Sequence, residues 1–497
     1  MSQSLNGGTG LGALNGVTTQ QYGGVINPLL ASGDGAIAYA TNSTAVGILS
    51  QAGNMYSTNG NSTAVGYDTL ANGDYSVAVG TDAQAGVATN PPITTGTNDV
   101  AIGYTALARG TNSVAIGSGA NSGNNTTDSI AIGYTATTTG DHGVAIGSNT
   151  SAVMDSTAIG DSAKTLFNFT TAVGQAASAN GSLNGFSSAF GYNAAASGDQ
   201  STSLGANSQA QKDATAVGQA SVALGDYSVA VGYKAQAGAS LADINAVAVG
   251  HSANAGYRAT VVGGSSSAVI DGTALGQQSN VFGQYGIAVG FSSSAGTALT
   301  DINATAIGHS ANAKVLNTTA IGGQALAQTV SSTAIGTRAI AGTTNITDTN
   351  ATAVGYNTNA GAFNATAVGQ AASVTGINSV ALGATSTDDG NSDVVSVGSS
   401  IQTRRIIHVS DGINNDDAVT IEQLTAVSTV ANNAQATADT ALSHAAAAEI
   451  TANTALSVAN NSQSLVNIAL GSTLEYGRRI NRIECFLRTL GYELYDD

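Results

Sequence analysis

The phrase Asp99-Val100-Ala101-Ile102-Gly103 returns fourteen residues later as Ser113-Val114-Ala115-Ile116-Gly117. That beat constrains the fold more than any other feature of the chain. Its closing glycine recurs at Gly66, Gly80, Gly103, Gly117, Gly133, Gly147, Gly160 and Gly174, then onward through Gly383 to a degenerate copy at Gly398. Steps of fourteen dominate, steps of thirteen stand beside them, and longer steps mark local insertions. A fixed short period implies a solenoid, because one repeat buries its apolar side only against the next.

One unit reads Val100-Ala101-Ile102-Gly103, a polar corner at Tyr104-Thr105, then Ala106-Leu107-Ala108-Arg109-Gly110. The spacing predicts two strands of about five residues per coil, joined by tight turns. Glycine at each corner is expected to supply the positive φ such turns need. The second half alternates alanine with polar residues, as in Ala235-Gln236-Ala237, so its alanines point into the coil and its other face meets water. The first half is apolar on both sides, with Ala101 on one and Val100 and Ile102 on the other. Such a strand needs a cover on both sides. No amphipathic helices alternate with these strands, so a second copy of the chain is the expected cover.

Sixty-three glycines, three prolines, no tryptophan and 9% charged residues fit a solenoid of small side chains. A disordered chain would lack the periodic Val, Ile and Ala. A net charge of −17 argues against a nucleic-acid partner, which wants clustered Lys and Arg. The first residues have neither the basic nor the apolar stretch of a secretory signal, and no apolar run is long enough for a membrane helix. Cys485 is the single cysteine, so no intrachain disulfide forms.

Residues 1–35 lack the beat and read as a cap or attachment segment. Gly8-Thr9-Gly10-Leu11-Gly12 lacks the G-x-G-x-x-G spacing of a dinucleotide loop. The roll is expected over 36–403, with insertions at Val87 to Asn98, Gly238 to Asn245, Ala295 to Asn303 and Gly342 to Asn350. Two insertions carry nearly the same text, Leu241-Ala242-Asp243-Ile244-Asn245 and Leu299-Thr300-Asp301-Ile302-Asn303. Their acids lack the D-x-D-x-D-G spacing of a calcium loop, and turn chemistry explains them.

The residue after the motif glycine is often aromatic: Tyr67, Tyr104, Tyr134, Tyr192, Tyr233, Phe291 and Tyr356, with His251 and His309 in the same slot. Such rings shield a coil edge. A partly exposed row of them also suits binding to a protein or glycan. Catalysis is not expected, because Asp74, Asp141, Asp199 and Asp226 sit at scattered corners without a recurring carboxylate pair. Ice binding would need one threonine pair in every coil, and the corner varies too much. No cofactor and no metal are expected.

At Arg404 the beat stops. Residues 404–424 read as a neck, and from Leu424 a heptad runs for about seventy residues, which signals a coiled coil over 425–490. Its seam is mostly alanine, strengthened near the end by Ile480, Ile483, Leu487 and Leu490. Residues 491–497 form a short tail.

With roll, neck and coil in this order, the chain resembles the trimeric autotransporter adhesins with YadA-like heads. The head motif stands as Asn112 to Gly117 and Asn378 to Gly383. The neck motif stands as Asp417-Ala418-Val419-Thr420-Ile421-Glu422-Gln423-Leu424, with Thr420 where the family has Asn. The resemblance implies a left-handed parallel β-roll, a homotrimer and adhesion. Val100, Ile102, Val114, Ile116, Leu424, Ile480, Ile483, Leu487 and Leu490 are then the expected trimer contacts. The family also carries a secretion signal and a membrane β-barrel segment, and neither is expected here. The preferred expectation is therefore a virion fibre, such as a bacteriophage appendage, held by a virion structural protein at its C-terminal end. The alternative is a bacterial surface adhesin without its anchor. In either setting the partner is a host cell-surface protein or glycan.

Overall fold

The computed structural model describes residues 30–40, 42–54, 60–86, 98–181, 185–343, 345, 349–470 and 476–491, the last helical stretches partly without side chains. The chain divides after Thr403 into two compact units.

The first unit is a solenoid with two parallel ladders. One ladder has 25 strands among the described residues, from Leu30–Ser32 to Val395–Ser396. It begins inside the segment assigned above to the cap, because Leu30-Ala31-Ser32-Gly33 already follows the motif and pairs with Thr44–Val46. Register follows the sequence beat: Val114, Ala115 and Ile116 sit over Val100, Ala101 and Ile102. The second ladder stacks shorter strands, from Ile37–Ala38 to Ser373–Val374.

Strands are three residues long in the first ladder, apart from Val395–Ser396, and two in the second, apart from Leu107–Thr111 and Asn121–Thr127, so most are shorter than the five expected. The corners take the difference. Each coil spends residues on two left-handed turns, and residues with side chains fill most of these slots, as Thr105 (φ 51°) and Asn112 (φ 57°) do. Glycine is therefore not the turn residue at every corner. The motif glycine has another task. A Cβ on Gly103 (φ +136°) would lie 2.5 Å from the carbonyl oxygen of Gly117, so the stacked backbones leave no room for a side chain.

The interior is thin and closed. Ala101 and Ala115 from the first ladder meet Ala85, Ala106, Ala108 and Ala120, all fully buried. Hydroxyls join them, since Ser113 and Ser129 are also fully buried and bond to each other at 3.2 Å. On the outer face of the first ladder every rung from Val46 to Leu382 carries Val, Ile, Leu or Phe at its second outward position. This column is half-buried at best, and Ile102 keeps 38% of its surface.

In the second unit, α1 (Ile421–Leu470) follows a turn in which Asp417 accepts the backbone N–H groups of Ile413 and Asn414. Those bonds hold the Asp417 carboxyl below its usual range, Asn414 contributing most. Thr420 caps the helix. Its Oγ1 accepts the Gln423 N–H at 3.2 Å, and Gln423 Oε1 accepts the Thr420 N–H at 3.2 Å. This reciprocal pair is a capping box, so threonine fills the slot of the family's asparagine without loss of the cap. A shorter helix, α2 (Tyr476–Thr489), follows. Among the described residues no helix is long and apolar enough to cross a membrane.

Candidate functional site

The residue after each motif glycine lies at one corner of the solenoid, and backbone bonds stack these corners in a column. Asp82 N donates to Tyr67 O at 2.9 Å, Thr105 N to Thr81 O at 2.8 Å, Gly119 N to Tyr104 O at 2.8 Å and Thr135 N to Ser118 O at 3.0 Å. Tyr67, Tyr104 and Tyr134 therefore stand on alternate coils, with Thr81 and Ser118 between them. At a coil rise of about 4.8 Å they are roughly 9.6 Å apart. All three expose half or more of their surface, as do Tyr192 and Tyr356. They do not cover the coil edge completely, and a row of half-open phenol rings faces solvent.

Two histidines complete the column. His251 stacks on Tyr233 with centroids 5.2 Å apart, and His309 stacks on Phe291 at 5.5 Å. Lys234 Nζ lies 5.1 Å from the Tyr233 centroid, a cation–π contact on the same ring.

The opposite corner carries a second exposed column that the sequence reading did not single out. Asn98 donates to Asn112 at 2.9 Å and Asn112 to Asp128 at 2.9 Å, forming a side-chain ladder along the axis. His142 continues it, with Nδ1 2.8 Å from Asp155 Oδ1 and Nε2 3.8 Å from Asp128 Oδ2. The bond to Asp155 raises the His142 pKa, opposed by desolvation and helped by the nearby charges of Asp155, Asp128 and Asp141. Farther along, Phe169 and Phe186 stack at 5.4 Å while both hold left-handed φ, and Arg258 Nε donates to Asp271 Oδ1 at 2.6 Å. The available signal was the residue just before each motif phrase. It is Asn in many units and becomes Tyr, Phe or His in a few.

The acidic side chains serve the turns. Asp243 Oδ2 accepts the N–H groups of Ala239 and Ser240, and Asp301 Oδ2 those of Thr297 and Ala298, all at 2.8 Å. Asp141 accepts the Thr127 N–H, and Asp226 lies 3.9 Å from Lys212 Nζ. Among the described residues no three His, Cys, Asp or Glu side chains are grouped to hold a metal ion. The insertion at 87–97 lies outside the described residues.

Of the expected trimer contacts, Val100, Ile102, Val114 and Ile116 lie on the outer face of the first ladder. Leu424 and Leu490 are exposed on their helices, and Ile483 and Leu487 half-buried. The side chain of Ile480 lies outside the described residues, as do 1–29 and the tail 492–497.

The YadA head domain repeat matches this chain in ten stretches: 57–83, 95–120, 127–150, 154–177, 186–208, 211–235, 270–293, 302–325, 316–339 and 360–386. Among solved structures, the crystal structure of the collagen-binding domain of the Yersinia adhesin YadA is similar at 19% identity. The match covers 52% of this chain and 83% of that one, with a TM-score of 0.12. At that score no superposition of the two bodies is implied. No curated protein matches.

Proposed function

We propose, from the premise that this chain belongs to the YadA head domain repeat family, that it is a fibrous adhesin working as a parallel homotrimer. The observation that carries the reading is the apolar column from Val46 to Leu382, unbroken along the first ladder and open on one side. An apolar column of this length on a parallel sheet calls for a cover. A second copy in the same orientation brings an identical column at the same rise, so rung meets rung throughout. Three copies around one axis close the arrangement. The heptad of α1 supports the same symmetry, with its alanine seam weak by itself because each buried methylene contributes only about 0.8 kcal/mol.

Adhesion then falls to what such a trimer leaves outside, which includes the corner row of Tyr67, Tyr104 and Tyr134. Replacing these three by alanine should lower binding to target cells while the oligomer keeps its mass. Unchanged binding would move the contact surface elsewhere. The setting we propose first is a virion, with the C-terminal end held by a virion protein. Immunogold labelling of particles against labelling of bacterial surfaces decides it, and label confined to the cell surface would overturn it.

A further inference from the structure

Two blocks of the solenoid carry the same constellation: Tyr233 and Phe291, Leu241 and Leu299, Asp243 and Asp301, and His251 and His309 lie 58 residues apart, and Gly264 and Gly323 lie 59 apart. At the corner, Ser252 N donates to Tyr233 O at 2.8 Å, Ser265 N to His251 O at 2.7 Å and Gln278 N to Gly264 O at 2.9 Å. In the second block Ser310 N donates to Phe291 O at 2.8 Å, Gln324 N to His309 O at 2.8 Å and Arg338 N to Gly323 O at 2.9 Å. Each block therefore stacks an aromatic ring, an exposed imidazole and then a glycine on three successive coils.

That glycine is demanded by neither backbone nor space. Gly264 and Gly323 lack the left-handed φ of the motif glycines. A Cβ at Gly264 would meet only His251 O at 3.8 Å, and one at Gly323 nothing nearer than 3.8 Å. A larger residue fits, as Tyr104 and Tyr134 show at the same corner. What glycine does here is leave the outer face of the imidazole bare. The result is a notch one coil high, floored by His251 or His309 on its supporting ring. On the far side stands Gln277 in one block and Thr337 in the other, both exposed. The flanks are hydroxyls and amides, Ser252, Ser265 and Gln278 in the first block and Ser310 and Gln324 in the second, with Arg338 donating to Gln324 Oε1 at 3.0 Å.

We propose that each notch binds one pyranose ring of a glycan, which lies flat on the imidazole with its hydroxyls turned to the polar flanks. A ring floor with hydrogen-bonding flanks matches a sugar, which has an apolar C–H face and a polar rim. An aromatic side chain of a partner protein would use the floor and leave the flanks idle. Four coil steps separate the two notches, about 19 Å, so one extended glycan chain or two branches engage both and gain avidity. This assignment deepens the adhesive reading above and rests on it.

The experiment uses the full chain on a glycan array, followed by saturation-transfer NMR with the best-bound oligosaccharide, and cell binding in parallel. Gly264→Leu with Gly323→Leu fills both notches, and His251→Ala with His309→Ala removes both floors. We expect ring protons of the sugar to be the saturated ones, and each double variant to weaken glycan binding about tenfold or more with melting unchanged. Single-notch variants should lose only the avidity. Array binding that both double variants retain overturns the notches. Cell binding that persists while no glycan binds overturns the sugar assignment and leaves adhesion standing. Cell binding lost in the variants but abolished by protease, and not by periodate, treatment of the cells overturns it in favour of a protein partner. Loss of cell binding by the native chain itself would refute adhesion as well.

Discussion

Asp99 Oδ1 accepts the backbone N–H of Ser113 at 2.9 Å, one coil ahead, from inside a tube filled mainly by alanine and small hydroxyls. The side chain is fully buried, and Oδ2 has no partner among the described residues. Desolvation pushes its pKa up to about 7, against the opposing bond from Ser113. Below about 4 the group is protonated in both folded and unfolded chains. Between about 4 and about 7 only the folded chain holds the proton, so stability falls as pH rises and levels off above about 7. Asp99→Ser, which restores the residue found at Ser113, should remove that slope. The gain at pH 8 should be on the order of 4 kcal/mol locally. Hydrogen exchange of the coils around 99–117 at pH 5 and pH 8 measures it, and an unchanged slope in the variant would place the pH dependence elsewhere.

His142 bridges Asp155 and Asp128 on the corner ladder, and its raised pKa gives a pH slope of the same sign as that of Asp99. The protonated form is favoured in the fold, so its contribution is full below the ordinary histidine range and fades as pH rises through the raised value. Asp155→Asn should lower the His142 titration midpoint read by NMR. A midpoint that does not move would mean that the 2.8 Å contact is not populated in solution.

Ile116 sits in the apolar column at the place where three copies would meet. Light scattering of the native chain should give three times 48.5 kDa. Ile116→Asp places three like charges around one axis, at a cost of several kcal/mol per ion, and should lower the mass or the melting temperature sharply. A trimer of undiminished heat resistance would put the interface on another face.

Glycines at neighbouring corner positions should respond differently to the same change. Gly103→Ala drives a Cβ against Gly117 O and should destabilise the local coils by a few kcal/mol, about the size of other overpacked sites. Gly264→Ala should be nearly silent in melting. Limited proteolysis of both variants tests the contrast, and equal sensitivity would contradict the packing described here.

The coil architecture was legible because one stacking rule is written out many times. Val, Ala and Ile at fixed places declare outer face, inner face and outer face, and Ala101 beneath Ala115 follows from the beat alone. Strand length was not legible, since nothing in Tyr104-Thr105 or Asp141-His142 says that left-handed turns will take residues from the strands. The row of Tyr67, Tyr104 and Tyr134 could be read because it adjoins the motif glycine. The stacking of His251 on Tyr233 could not, because they are eighteen residues apart in the chain and meet only across an insertion. Asp99 looked like one more variable residue until its slot proved to be interior.

The offset of 58 residues between the twin notches equals four whole coils, and each coil bonds only to the coils before and after it. A block of that size can be gained or lost without breaking any ladder. Changes in the length of the solenoid thus need no new folding solution. In the homotrimer proposed above, such a change would enter all three copies at once, because one coding sequence supplies them.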